Sequence, residues 1–279
     1  NVSDLAAGEL AARLAGDGLR LSTGPVVSRI RSPLPRVVDG IGLHYAHHRI
    51  EADDAFADFH VGVERPRGLR RWMKPQVVFS FDGMVPFTPL PGDQEFPMLE
   101  WGLNWCVSSH CHQFLILHAA VLERGGRALL MPAPSGSGKS TLCAGLALRG
   151  WRLLSDELAL IDIASGLVQP LPRPISLKNA SIELIRGFAP EASFSPTVRD
   201  TVKGSVAHVR PPADSVRRGD EAALPAWVVL PRYEASAAPS LQPIGRAEAF
   251  MQLAENGFNY HLHGRTGFEA LARLVDGCA

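Results

Sequence analysis

Apolar residues recur at helical spacing near the start of the chain, where Leu5, Leu10 and Leu14 share one side of a stretch from Asp4 to Ala15 that Gly16 ends. The pattern then shortens. Leu19–Ile30, Arg36–Tyr45, Ala57–Val63 and Gln76–Phe81 read as β runs, and Asp82-Gly83 marks a turn after the last of them. Prolines crowd the segment from Pro86 to Pro97, which predicts a loop or linker. Met98 to Gln113 has helical character, with Trp101, Trp105 and Ser108 spaced for one face.

From Phe114 onward strand and helix signals alternate, the pattern of an α/β sheet. Phe114–Leu122 and Arg127–Met131 form a hairpin pattern around Glu123-Arg124-Gly125-Gly126. A small, glycine-rich segment leads into a helix from Lys139 to Arg149, followed by strand-like Trp151–Ser155 and Leu158–Ile163. A proline-rich turn (Pro170, Pro172, Pro174), a short helix around Ser181–Arg186, a strand Ala226–Leu230 and helices near Arg246–Glu255 and Gly267–Asp276 complete the pattern. The expectation is an α/β protein: a smaller mixed α+β region over residues 1–95, then a second domain over residues 96–279.

Composition narrows the function. The 279 residues are 46% hydrophobic and 20% charged, enough to bury a sizeable core. Basic and acidic residues balance at 28 each, so the chain lacks the cationic excess that general nucleic-acid binding needs. No stretch approaches 18 apolar residues, and no basic segment followed by an apolar one opens the chain. Four scattered cysteines do not make a disulfide framework, so a reduced, cytoplasmic protein without membrane contact is expected. Only four of the 28 basic residues are lysines: Lys74, Lys139, Lys178 and Lys203.

The strongest chemical signal is Ala133-Pro134-Ser135-Gly136-Ser137-Gly138-Lys139-Ser140-Thr141, lying between a strand and a helix. Small residues there let successive amides point into one concavity that cradles phosphate oxygens, and the following helix N-terminus adds partial positive charge. This is a P-loop pattern. Pro134, Ser135, Gly136, Ser137, Gly138, Lys139, Ser140 and Thr141 would hold the phosphates of ATP, Lys139 neutralising charge and Ser140 ligating Mg²⁺. Ala133 stands where the pattern has its first glycine, and alanine resists a positive φ. Seventeen residues after Lys139, Asp156 follows a predicted strand, where such proteins place a metal- or water-orienting carboxylate. Of the neighbours Asp156 and Glu157, only one can face the phosphates directly.

The run Leu117-His118-Ala119-Ala120, the P-loop, and Arg149-Gly150-Trp151-Arg152-Leu153-Leu154-Ser155-Asp156-Glu157 resemble HPr kinase/phosphorylase over roughly residues 115–190, and more closely the HPr-related kinase A lineage. That lineage also resembles this chain at Glu100-Trp101-Gly102-Leu103-Asn104-Trp105, Pro174-Ile175-Ser176-Leu177-Lys178-Asn179, Val202-Lys203-Gly204-Ser205 and Phe258-Asn259-Tyr260. The resemblance implies a P-loop kinase domain with a phosphoenolpyruvate-carboxykinase-like sheet. It implies Mg·ATP-dependent transfer to a hydroxyl, a serine or threonine of a small protein or peptide. Asp156 would be the base, His118 would contact and tune it, and Lys139 would complete the catalytic set. Glu157 replaces the second acid of an Asp-Asp pair, and Glu183, in Glu183-Leu184-Ile185-Arg186-Gly187, would join it and Ser140 around Mg²⁺. Lys178 and Lys203 are candidates for phosphate or substrate contacts. A small-molecule kinase on the same scaffold, or a nucleotide-sensing regulator that transfers nothing, are the alternatives.

Other motifs carry less. Cys106-Val107-Ser108-Ser109-His110-Cys111-His112 has no second ligand pair, so buried cysteines and surface histidines are expected rather than zinc. Arg67-Gly68-Leu69-Arg70-Arg71 is too short for nucleic acid and reads as a solvated face. Residues 1–95 give no functional parallel; substrate docking and homo-oligomer contacts are the default expectation.

Overall fold

The computed structural model describes residues 1–66, 74–134 and 136–279, so the Arg67–Arg71 cluster and Ser135 lie outside the described residues. Helix α1 (Ala7–Ala15) buries Leu10 and Leu14 and precedes a hairpin of β1 (Leu19–Thr23) and β2 (Val26–Arg31). Both strands alternate buried and less buried positions, as a sheet with one covered face requires. β3 (Phe59–Glu64) lies parallel to β2, and β4 (Gln76–Phe81) and the short β5 (Leu90–Pro91) extend the sheet antiparallel, giving the order β1-β2-β3-β4-β5.

Residues 36–45, expected as a β run, are instead mostly helix α2 (Pro35–His44). Val37-Val38 and two glycines lower its helix propensity, but Val37, Gly40, Ile41 and His44 are buried at helical spacing and Pro35 begins the first turn. A Cβ on Gly40 would lie 2.2 Å from the Phe96 ring, so only glycine lets α2 pack so closely on α3 (Glu95–His110). α3 starts inside the proline-dense segment, with Pro97 in its first turn, where no intrahelical amide is needed.

Strand β6 (Phe114–Arg124) is the wall that three cores share. Its first half pairs antiparallel with β9 (Leu158–Asp162), and its second half with β7 (Arg127–Pro132) and β8 (Arg152–Ser155). β10 (Val168–Gln169) borders β9, and β14 (Leu224–Val228) runs parallel to β7. Phe114 and Ile116 point into the first core with the N-terminal sheet and α3. Leu115, Leu117, Ala119 and Val121 face α7 (Arg246–Glu255) and α8 (Tyr260–Gly277), which is kinked at Gly264. Ala120 and Leu122 join the third core, built with α4 (Lys139–Ala147), α5 (Ala180–Phe188) and the β11-β13-β12 sheet.

That last sheet comprises β11 (Ile175–Lys178), β12 (Val198–Thr201) and β13 (Gly204–Val209); the short α6 (Ala213–Arg217) precedes β14. Among the described residues the molecule is mixed α/β, with eight α-helices and three sheets. The first core runs through the expected division at residues 95 and 96, since Phe96, Met98, Leu99 and Leu103 of α3 pack with the N-terminal strands. Among the described residues no helix is long and apolar enough to cross a membrane, and all four cysteines are free.

Candidate active site

Strand β7 delivers the chain to the glycine-rich turn, and α4 carries it away. Gly136 and Gly138 adopt φ values of +88° and +91°, and Gly138 is the N-cap of α4. Those are the conformations that turn successive amides toward one side, and side chains other than glycine resist them. Ala133, in contrast, is buried with an ordinary φ, so the place of the missing glycine needs none. Among the described residues, no atom beyond its chain neighbours lies within 4 Å of where a Gly136 Cβ would stand, and Ser137 Oγ is buried without a partner. Tyr233 packs beside this turn, its amide donating to the Ser137 carbonyl at 2.9 Å, and two positive-φ glycines at the N-terminus of α4 suit a phosphate group.

Lys139 is more enclosed than a surface lysine, at 6% exposure, and burial holds its ammonium below the ordinary lysine range. Its Nζ lies 2.9 Å from His118 Nε2. Burial, with the Lys139 charge second, pushes His118 down to about 4, so the ring is neutral and Nε2 accepts from the ammonium. The resemblance implied a His118 contact with Asp156; the structure gives His118 to Lys139 instead. His118 is fixed by the C-terminal region: its amide donates to the Asn256 carbonyl at 2.7 Å, and Phe258 meets the ring edge-on at 5.8 Å.

Asp156 follows β8 and is buried. Oδ2 accepts from the Ser176 amide at 3.0 Å, while Oδ1 has no partner among the described residues. Burial, reinforced by the Glu157 charge, raises this carboxyl to about 6, against the opposing pull of Lys139, the Ser176 amide and the Ser140 hydroxyl. Glu157, less buried, turns to accept a hydrogen bond from Asn104 Nδ2 on α3. The two neighbouring acids thus have different surroundings. Both nevertheless act on the Lys139 charge.

The charges of Lys178 and Lys203 also reach His118, and the Lys203 ammonium stands 5.0 Å from the Trp101 ring centroid. Three of the four lysines in the chain are thus gathered here, without a carboxylate in ion-pair contact among the described residues. Such a cluster suits an anion of more than one charge. Glu183 is not part of it. It lies on the exposed face of α5, bonded to Arg186 at 2.7 Å, and the charges that act on Asp156 are Glu157 and Lys139.

Beside Asp156 is a small pocket with Trp101, Asn104, Arg173, Ser176 and His208 in its walls. Of these wall residues, Trp101 Nε1, Ser176 Oγ and His208 Nε2 are buried without partners among the described residues, as is Asp156 Oδ1. Four unsatisfied polar atoms on the residues around one space are a reason to expect a polar ligand group in it. Arg173 secures the far wall: its guanidinium bonds Glu100 and Asn104, each at 2.7 Å, and Tyr45 donates to Glu100 at 2.6 Å. A buried chain therefore links α2 and its end, through Tyr45, Glu100, Arg173 and Asn104, to Glu157.

Sequence reasoning missed Arg173, Tyr45 and His208. Arg173 is one arginine in a chain rich in them, and the other two carry no local motif. Ser176, Asn104 and Trp101 fall in segments of the resemblance but had no role assigned. Among the described residues no group of three or more His, Cys, Asp or Glu is arranged to hold a metal ion. A P-loop metal needs no such group, since one hydroxyl, a carboxylate and substrate oxygens suffice. Ser140 and Glu157 fit that smaller set. No protein-family model matches the sequence, and no curated protein is similar to it.

Proposed function

We propose that this chain is a Mg·ATP-dependent kinase that phosphorylates a serine or threonine hydroxyl of a small protein or peptide, the reaction that its resemblance to HPr kinase implies. One observation carries the reading. A buried carboxylate, Asp156, lines a polar pocket, with Lys139 and Ser140 of the glycine-rich phosphate cradle acting on its charge.

The Gly136–Thr141 turn and the α4 N-terminus hold the phosphates, with Lys139 offsetting their charge. Ser140 and Glu157 are the side chains that would hold Mg²⁺, which would neutralise charge on ATP, the donor of the phosphoryl group. The Ser176 amide orients Asp156, whose Oδ1 takes the proton of the acceptor hydroxyl as that oxygen is phosphorylated. A carboxyl raised to about 6 is a stronger base than an ordinary aspartate and is still ionised at neutral pH. His118 acts on Lys139: a neutral ring fixes the ammonium without adding charge beside the phosphates.

Lys139→Ala tests the nucleotide half of this reading. It removes a cation that has His118 as its hydrogen-bond partner, so folding should persist while Mg·ATP affinity falls about ten-fold or more. Calorimetric titration giving equal affinity for both proteins would remove the phosphate cradle from the scheme.

A further inference from the structure

A second cavity, of about 310 Å³, adjoins the pocket beside Asp156 and is bounded by Phe87, Leu90, Met98, Trp101, Trp105 and Val202. Trp101 lines both. The two spaces differ in kind. The one beside Asp156 is polar and has room for a water-sized group, about 20 Å³. The other has apolar walls and the size of a small side-chain or ligand pocket.

Its aromatic walls are braced from behind. Phe87 packs on Phe79 at 5.6 Å and on Trp105 at 5.3 Å, and Trp105 packs on Phe81 at 5.5 Å. The cavity is therefore preformed, and an occupant gains apolar burial without ordering the walls first. Its mouth is open at Val202, 83% exposed in the turn between β12 and β13.

We infer that this groove is an acceptor-specificity pocket, taking an apolar side chain that lies within two residues of the phosphorylated serine or threonine; the inference rests on the kinase reading above. The polar pocket admits little more than a hydroxymethyl group, so the rest of an acceptor that reaches Asp156 must pass Trp101. Trp101 also lines the groove, which puts the groove beside that path. An extended peptide places residues two apart on the same face, about 7 Å from each other. A serine can then sit at Asp156 with its neighbour in the groove. The open mouth leaves the remainder of the peptide in solvent.

The test compares short serine peptides with phenylalanine or glycine at the flanking positions, using labelled ATP. Phosphate transfer to the phenylalanine peptide should be favoured by about ten-fold or more in kcat/KM, the scale of one buried aromatic side chain. Val202→Asp, an exposed turn position, should bring that ratio toward one. Calorimetry with the same peptides carrying alanine in place of serine gives a readout independent of transfer, and the same preference is expected. Transfer without preference between the peptides overturns the groove assignment and leaves the kinase reading standing. No transfer, with preferential binding that Val202→Asp abolishes, keeps the groove as a peptide pocket and removes the kinase reading. No transfer and equal binding remove both.

Discussion

In the proposed reaction Asp156 concentrates the chemistry, and its burial also carries a cost in stability. Its carboxyl is raised to about 6 in the folded chain, against an ordinary value of 3.8, chiefly because burial disfavours the charge. A raised carboxyl favours folding while protonated, below the unfolded value, and that contribution is lost as pH climbs through the folded value. Above pH 6 the native state therefore holds an ion that the unfolded chain would solvate better. Asp156→Asn removes the charge, and should stabilise the protein by up to ~3 kcal/mol at pH 8 while changing little near pH 4. Urea unfolding at the two pH values measures the difference. Equal effects at both would show that the carboxyl is not raised.

At this scale the sequence was most informative where spacing carries meaning. Lys139 and Asp156 are seventeen residues apart across a helix and a strand, and the fold brings them together. His118 was legible only through the family resemblance, and its partner proved to be the lysine rather than the acid. Arg173 was not legible at all. A buried guanidinium that anchors Glu100 and Asn104 has the same local sequence signature as a solvated one, since its burial comes from residues far away in the chain.

Among the elements, β6 and the segment entering α8 matter most to the site. Asn259 is buried, its Oδ1 accepting from the Ile116 amide and its Nδ2 donating to the Phe114 carbonyl, both at 2.8 Å. The side chain thereby serves as one rung of a missing strand along β6, and it fixes the turn that holds Asn256 and Phe258 against His118. Asn259→Ala leaves the buried Ile116 amide without its partner and the Phe114 carbonyl with only His263 Nε2, at 3.2 Å, and should cost about 1–3 kcal/mol in denaturant unfolding. A loss below about 0.5 kcal/mol would mean that the clip contributes nothing beyond a surface contact.

Element types were readable where one period dominated, as in the Phe114–Leu122 and Arg127–Met131 hairpin, which became β6 and β7. Helix α2 was read as a strand because β-branched residues and glycines outweighed its buried helical spacing, and the deciding contact, Gly40 against Phe96, is tertiary. The β12–β13 hairpin went unseen for a related reason. Its strands are short, and β12 is exposed along much of its length, so no apolar alternation marks it.

Across the whole molecule, the three cores meet on β6, and the site lies where the elements around it converge. The N-terminal region contributes more than a neighbouring domain would. Tyr45, at the end of α2, reaches Glu100 and through Arg173 and Asn104 the Glu157 carboxylate. That link could not be read from residues 1–95, because none of them bears a motif; it exists only once α2 is packed on α3. The α/β class was legible from alternating strand and helix signals, whereas the sharing of one core across residues 95 and 96 depends on packing that periodicity does not encode.

The central claim is that Asp156 is the base in phosphoryl transfer and not a ligand needed for nucleotide binding. It is tested most directly by incubating wild type and Asp156→Asn with labelled ATP and a cell lysate, with Mg·ATP affinity measured in parallel by calorimetry. The expected result is affinity retained within about three-fold and labelled product reduced by about 10²-fold or more. Labelling by Asp156→Asn at the wild-type rate would contradict it.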